Sequence, residues 1–226
     1  MSRLSMLRNI PLFAGLSDEE LEILANSLGK RTFGKGMIIF HKDSPGQTLY
    51  IIESGKVRTF ILSESGQEIS VNIYGPGDIF GEMALLDGLP RSAGAVTLEK
   101  TVTLTLQRDD FLPFLHVHPR LALNIIEVLC ARLRYTTAYV ESLAFLDVYG
   151  RVAAKLLELA DRYGVQKQGI EIELCLTQAE LASWVGASRE RVNKVLATFR
   201  EQGLIEVRGQ KIIILDRRGL RRRISY

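Results

Sequence analysis

Between residues 31 and 110 the chain never holds one apolar period for long. Short β-rich runs recur instead: MIIF, TLYIIESG, KVRTFIL, EISVNIY, DIF, AGAVTL and VTLTL. Turn signals cut them off, at Gly34-Lys35-Gly36, Asp43-Ser44-Pro45-Gly46, Ser65-Gly66 and Gly75-Pro76-Gly77-Asp78. Many short strands at such spacing close as a sandwich or barrel. Gly-Glu-Met-Ala-Leu-Leu, from residue 81, interrupts them with one or two helical turns.

The flanks read as helix. Ser17-Asp18-Glu19-Glu20 is a capping box, followed by an apolar face of Leu21, Ile23, Leu24 and Leu28. From Pro119 to Leu143 the period changes. Ile126, Leu129, Leu133, Thr136, Val140 and Leu143 alternate spacings of three and four, a coiled-coil seam along a helix of about 37 Å. A stripe this narrow suits pairing with its own copy, and a core helix of a monomer is the alternative. Ala144-Phe145-Leu146-Asp147 then reads as a hinge, with Asp147 capping a helix over Val148–Tyr163.

The remainder carries a helix-turn-helix spacing in QAELASWVGASRERVNKVLA, residues 178–197. Thr177 and Ser188 stand at cap positions. Ala182 allows close helix approach, and Gly186 sits where the turn needs a positive φ. Val192 and Val195 face Leu181 and Val185, which leaves Arg189, Glu190, Asn193 and Lys194 outward and Arg191 to the side. An arginine fork matches guanine and a glutamate accepts from cytosine, while Arg191 suits a phosphate. Downstream, Leu204–Val207 and Lys211–Leu215 flank Arg208-Gly209-Gln210 as a wing-type hairpin, and the arginines of residues 217–223 offer phosphate contacts or a solvated end. A helical hairpin without DNA binding is the bland alternative.

Charge agrees with that division. The net charge is +3, but residues 147–226 hold 15 Lys and Arg against 10 Asp and Glu, while residues 1–146 hold 14 against 16. The basic third fits a polyanionic partner. No apolar run reaches the ~18 residues of a membrane span, and the first residues lack a secretory apolar core. Cys130 and Cys175 form no metal-type pair and read as reduced, packed thiols of a cytoplasmic protein.

One segment does not fit a plain core. GEMALLDGLPRSAGAV, residues 81–96, is small and apolar apart from Glu82, Asp87 and Arg91. A helix starting at Gly81 offers free N–H groups to an anion, Arg91 a fork and Ser92 a hydroxyl. Glu82 would then accept from a neutral hydroxyl such as a ribose 2′-OH. The residues fit a nucleotide with one singly charged phosphate, and they fit a buried Glu82–Arg91 ion pair equally well. On the seam, Thr136 stands where leucine would pack better, which makes sense if Thr136-Thr137 meets the amino group of a purine.

With these pieces in place the chain resembles the cyclic-AMP receptor branch of the CRP/FNR transcription regulators over nearly its whole length. The resemblance rests on the glycine-punctuated strands (Gly36, Gly46, Gly55, Gly75-Pro-Gly-Asp78), Gly81-Glu82 with Arg91-Ser92, Thr136-Thr137, the hinge Leu143–Val148, and Gly186–Glu190. It implies an α+β fold: an N-terminal cyclic-nucleotide-binding β-roll (double-stranded β-helix), residues 1–118; a long dimerisation helix and hinge, 119–146; and a C-terminal winged helix-turn-helix, 147–226. It implies nucleotide contacts at Gly81, Glu82, Met83, Ala84, Arg91, Ser92 and Thr136, with Thr137 reaching the base in the partner subunit. It implies DNA contacts at Thr177, Ser188, Arg189, Glu190, Arg191, Asn193 and Lys194, reading a TGTGA-like half-site. The effector implied is cyclic AMP, with cyclic GMP, another small molecule or no effector as the alternatives. No metal or membrane enters. The partners are double-stranded DNA, a second copy of the chain and RNA polymerase. Lys194 stands for an arginine, Asn193 for a glycine, Arg191 for a threonine and Thr137 for a serine of the best-known member.

Two other classes compete. An oxygenase built on a β-roll would need metal ligands, and His116-Val117-His118 lacks a carboxylate and third histidine at suitable spacing, so the pair reads as surface histidines. A nucleotide-sensing module without DNA binding would leave Arg189 idle. The chain therefore reads as a regulator and not an enzyme.

Overall fold

The computed structural model describes residues 3–64, 66, 68–174, 177–209 and 211–224. Ser65, Cys175 and Gln210, named above in a turn signal, as a thiol and in the wing, lie outside the described residues. The chain divides into two compact units, Met1–Leu133 and Arg134–Tyr226.

The first unit opens with α1 (Arg3–Arg8), a 3-10 turn at Pro11–Phe13 and α2 (Asp18–Asn26). Glu20 N–H donates to Ser17 Oγ at 3.2 Å and Ser17 N–H to Glu20 Oε2 at 2.6 Å, so the capping box forms. Leu21, Leu24 and Leu28 are buried, but Ile23 is 60% exposed. Ile23 leaves the expected apolar face because two residues turn a helix by about 200°.

The strands follow: β1 (Gly29–Phe33), β2 (Ile38–Phe40), β3 (Thr48–Ser54), β4 (Val57–Leu62), β5 (Glu68–Tyr74), β6 (Ile79–Phe80), β7 (Gly94–Thr97) and β8 (Thr101–Gln107). The short helix α3 (Glu82–Asp87) lies between β6 and β7. They form two antiparallel sheets, ordered β1-β8-β3-β6 and β2-β7-β4-β5. β1 is absent from the β-rich runs because it is an edge strand, paired only to β8 and largely exposed, and its lysine and arginine suit that place. β3 is the reverse case. Leu49 and Ile51 pack with the helices, while Tyr50 and Ile52 pack between the sheets. With both faces covered, it reads as an unbroken apolar run and not an alternating one.

Two helices follow, α4 (Arg108–Val117) and α5 (Pro119–Phe145), with a bend of 113° between them. Phe111 and Phe114 of α4 and Leu121 and Ile125 of α5 join the core formed by α1, α2, β3 and β8. His118, at the bend, is not the surface residue expected. Its ring centroid lies 4.1 Å from that of Phe114, and its Nδ1 is 2.9 Å from Glu20 Oε1. Cys130 is a half-buried free thiol. Along α5 most of the seam is uncovered, with Ile126 54%, Leu133 68% and Val140 57% exposed, while Leu129 is half-buried against the core. Among the described residues no single helix is long and apolar enough to cross a membrane.

The second unit contains the end of α5, then α6 (Val148–Tyr163), β9 (Gly164–Gln166), β10 (Ile170–Ile172), α7 (Gln178–Val185), α8 (Arg189–Glu201), β11 (Ile205–Arg208), β12 (Lys211–Ile214) and α9 (Arg217–Arg221). Gly150 N–H donates to Asp147 Oδ1 at 2.8 Å, so the expected cap starts α6. α6, α7 and α8 pack on one another through Val152, Leu156, Leu181, Val185, Val192 and Phe199, all buried. The sheet order is β11-β12-β10-β9, so the wing hairpin extends a sheet whose other hairpin is short. The arginine-rich tail is partly structural. Leu220 is buried, Arg217 pairs with Asp161 at 2.5 Å, and Arg223 donates to Gln202 at 2.7 Å.

Candidate functional site

The segment from residue 81 forms one wall of the roll. Gly81 caps α3 with φ 77°, and Gly88 ends it with φ 75°, both left-handed conformations that favour glycine. α3 has six residues, so the anion-binding character expected at its start falls to the side chains around it. Between the sheets Phe40, Tyr50, Tyr74 and Phe80 form an aromatic cluster, with Tyr50 and Phe80 stacked at 4.9 Å. Two arginines lie over it, Arg91 4.3 Å from the Phe40 ring and Arg132 5.1 Å from the Tyr74 ring.

Glu82 and Arg91 are both buried, at 3% and 4% exposure. They do not pair with each other. Glu82 Oε1 accepts from Arg132 Nη1, whose other terminal nitrogen donates to Ile79 O at 2.6 Å. Arg91 donates to two carbonyls, Gly81 O at 2.6 Å and Thr48 O at 2.8 Å. Burial pushes the Arg91 guanidinium below its ordinary value, only partly offset by Tyr50 and Glu82. The site keeps two unspent atoms, since Glu82 Oε2 and Arg91 Nε are buried and have no hydrogen-bond partner among the described residues. One is an acceptor and the other a donor. Glycine makes room for the arginine: a Cβ on Gly46 would collide with Arg91 Nε, and one on Gly81 would lie 2.6 Å from Arg91 Nη1. Beside them Ser92 and Met83 are exposed and Ala84 is buried. Thr136 and Thr137 belong to the second unit, where both are exposed on α5.

In the second unit α7 starts at a capping box. Thr177 N–H donates to Glu180 Oε2 at 2.7 Å, and Glu180 N–H to Thr177 Oγ1 at 3.2 Å. Gly186 takes φ 59° at the turn, and Ala187 N–H closes it onto Ala182 O at 3.1 Å. Ser188 caps α8 through Arg191 N–H at 3.3 Å. Val192 and Val195 are buried, so one face of α8 is committed to the core. Arg189, Glu190, Arg191 and Lys194 are exposed, and among the described residues their side chains make no hydrogen bond or ion pair. Asn193, expected on the outer face, is half-buried and its Oδ1 is enclosed without a partner.

Residues 30–118 match the cyclic nucleotide-binding domain family, and residues 150–223 match the Crp-like helix-turn-helix domain family. The CRP-like cAMP-activated global transcriptional regulator of Mycobacterium tuberculosis is 37% identical over 96% of this chain and 98% of its own length. The chain belongs to the CRP/FNR family of transcription regulators. The cyclic AMP receptor protein of Thermus thermophilus is also 37% identical, over 89% of this chain and 90% of that protein. Among solved structures, the c-di-GMP-responsive global regulator CLP of Xanthomonas campestris matches with a TM-score of 0.79 and 26% identity, over 88% of this chain and 99% of that one. As a CRP/FNR member the chain is a cyclic-nucleotide-responsive, DNA-binding transcription regulator and not an enzyme. The nucleotide-binding match takes in Gly81 through Ser92 and stops before Thr136, and the helix-turn-helix match takes in every candidate DNA contact.

Sequence reasoning missed Arg132. The segment itself offers Glu82 one counter-charge, Arg91, nine residues away, whereas its partner lies 50 residues on. The available signal was a buried-type acid in an apolar segment, which requires a counter-charge somewhere.

Proposed function

We propose that the effector is cyclic AMP and that it binds at the wall formed by Gly81, Glu82, Met83, Ala84, Arg91 and Ser92, with Thr136 meeting the base and Thr137 reaching the base bound in the partner subunit. The observation that carries this reading is the pair of unspent buried atoms, Glu82 Oε2 and Arg91 Nε. A lone buried acceptor suits a ribose hydroxyl, and a guanidinium without a carboxylate suits a cyclic phosphate. Arg132 supplies the counter-charge of the glutamate. The domains are the roll over 1–118, the dimerisation helix and hinge over 119–146, and the winged helix-turn-helix over 147–226. Two copies pair along the uncovered α5 stripe and place their α8 helices in successive major grooves, roughly 34 Å apart. Thr177 and Ser188 hold the two helices and contact the backbone, Arg189, Glu190 and Lys194 read bases of a palindromic TGTGA-like site, and Arg191 and Asn193 tune the flanks. The regulator works in the cytoplasm with RNA polymerase.

Calorimetric titration with cyclic AMP, cyclic GMP and cyclic di-GMP tests the effector. The expected result is saturable cyclic AMP binding that Arg91→Ala weakens by at least about 100-fold, near 2.7 kcal/mol. No cyclic AMP binding below about 1 mM, or tighter binding of either other nucleotide, overturns it. Selection from random duplexes with and without nucleotide tests the half-site and the dimer together.

A further inference from the structure

The second unit contains a cavity of about 190 Å³ that the nucleotide and DNA readings leave unused. Its walls come from the end of α5, from α6 and from the last residues of α7. Tyr135, Tyr139 and Trp184 supply aromatic faces, and Ala138, Ala154 and Val185 supply small apolar ones.

The polar groups on its lining residues divide into spent and unspent. Lys155 is spent. Its ammonium lies 3.6 Å from the centre of the Trp184 ring and donates to both Glu158 oxygens, at 3.0 and 2.9 Å, and to the Tyr135 hydroxyl at 3.0 Å. That pair is neutral overall. Arg151 is not neutralised. It donates to Val185 O and Leu146 O, both at 2.7 Å, and among the described residues no carboxylate lies within ion-pair distance of it. The Tyr139 hydroxyl and Trp184 Nε1–H are enclosed and have no partner among the described residues. Burial raises the Tyr139 hydroxyl pKa, with Arg151 pulling it back, so the hydroxyl stays protonated and can donate. The unspent groups can therefore all donate, and the one uncompensated charge is positive.

We propose that this cavity is a binding site for a small aromatic monocarboxylate, whose ring lies among Tyr135, Tyr139 and Trp184 and whose carboxylate meets Arg151. The size sets the class. An apolar cavity of ~150 Å³ holds a benzene ring, so this one takes a single ring with its carboxylate and no second ring. The charge sets the sign: a carboxylate satisfies donors that an amine cannot, and a neutral amide leaves Arg151 uncompensated. The location gives it an effect on DNA binding. The Tyr139 hydroxyl would lie 3.8 Å from a Cβ on Gly186, the turn residue between α7 and α8, and Arg151 holds the last carbonyl of α7. A ligand here braces the helix-turn-helix against the end of α5. That consequence rests on the regulator reading, and the binding itself does not.

Trp184 is the chain's single tryptophan, so its emission reports on this cavity alone. Benzoate and phenylacetate are titrated into the full-length protein without DNA, with benzamide and benzylamine as controls. The expected result is a saturable emission change with a carboxylate at a Kd below about 1 mM, and binding of the amide and amine at least ten-fold weaker. Tyr139→Phe, which removes only the hydroxyl, weakens carboxylate binding about three- to ten-fold. Ala154→Leu fills the cavity and abolishes binding while the circular dichroism stays unchanged. No saturable change with either carboxylate, equal binding of benzamide, or undiminished binding to a folded Ala154→Leu protein overturns the site. If benzoate binds but leaves the affinity for a duplex unchanged, the regulatory consequence falls.

Discussion

The two units use charge in opposite ways. In the first, Glu82, Arg91 and Arg132 are drawn into the roll, held by carbonyls and by each other over an aromatic floor. In the second, Arg189, Glu190, Arg191 and Lys194 stand free on the outer face of α8. A small ligand offers few contacts, so each must be aimed in advance and shielded from water. A DNA duplex offers a long polyanion, and side chains that stay hydrated until contact can read it. The buried set is therefore costly to break and insensitive to salt. The exposed set costs the fold nothing and depends strongly on salt.

The largest effect should come from breaking the buried set. Arg132→Met leaves Glu82 without its counter-charge, which should cost about 3–5 kcal/mol of unfolding free energy in a denaturant titration. Adding Glu82→Leu should recover most of that loss, because the uncompensated carboxylate, not the missing contact, carries the penalty. A double variant as unstable as the single one would refute the contrast.

On the exposed set the expected cost falls on binding alone. Arg189→Ala should lower affinity for the selected duplex by about 1–3 kcal/mol and relax the sequence choice at one base pair, with no change in unfolding midpoint. Arg191→Ala should weaken all duplexes alike and reduce the slope of log affinity against log salt by about 1. If Arg189→Ala lowers specific and random duplexes equally, α8 reads shape and not bases.

In the second unit Lys155 is buried beside the half-buried Glu158, and pH sharpens the comparison there. Burial pushes the Lys155 ammonium down to about 8, with Glu158 pulling the other way. Between about pH 8 and 10 the unfolded chain holds a proton that the folded one has released, so stability should rise with pH in that window, on the order of 1 kcal/mol per unit. Above pH 10 the raised Tyr135 and Tyr139 reverse the slope, because the unfolded tyrosines release protons that the folded ones retain. Lys155→Met should flatten the rise, as followed by urea midpoints across the pH series.

Much of this was legible before any coordinates. The box at Ser17, the caps at Thr177, Asp147 and Ser188, the turn at Gly186 and the strand runs all appear where local chemistry places them. Each depends on residues within one helical turn or one hairpin, so the order of the sequence carries the whole interaction. Three features escaped for the opposite reason. β1 is a strand because β8 pairs with it, some seventy residues on. His118 is covered because Glu20 and Phe114 converge on the bend between α4 and α5. Asn193 is half-buried, whereas Arg189, Glu190 and Lys194 of the same helix are exposed.

The charges of residues 81–92 divide along the same line. The sequence alone determined that residues 81–92 contain an acid and a base too polar for their surroundings, and that a reading helix follows far downstream. Only the tertiary structure decided that the two charges are not partners. Bringing Arg132 from α5 to Glu82 closes a loop of 50 residues, and that closure depends on how the sheets and the long helix pack. No periodicity within the segment encodes it, because the free energy that settles it comes from burying Glu82 with a counter-charge from another element.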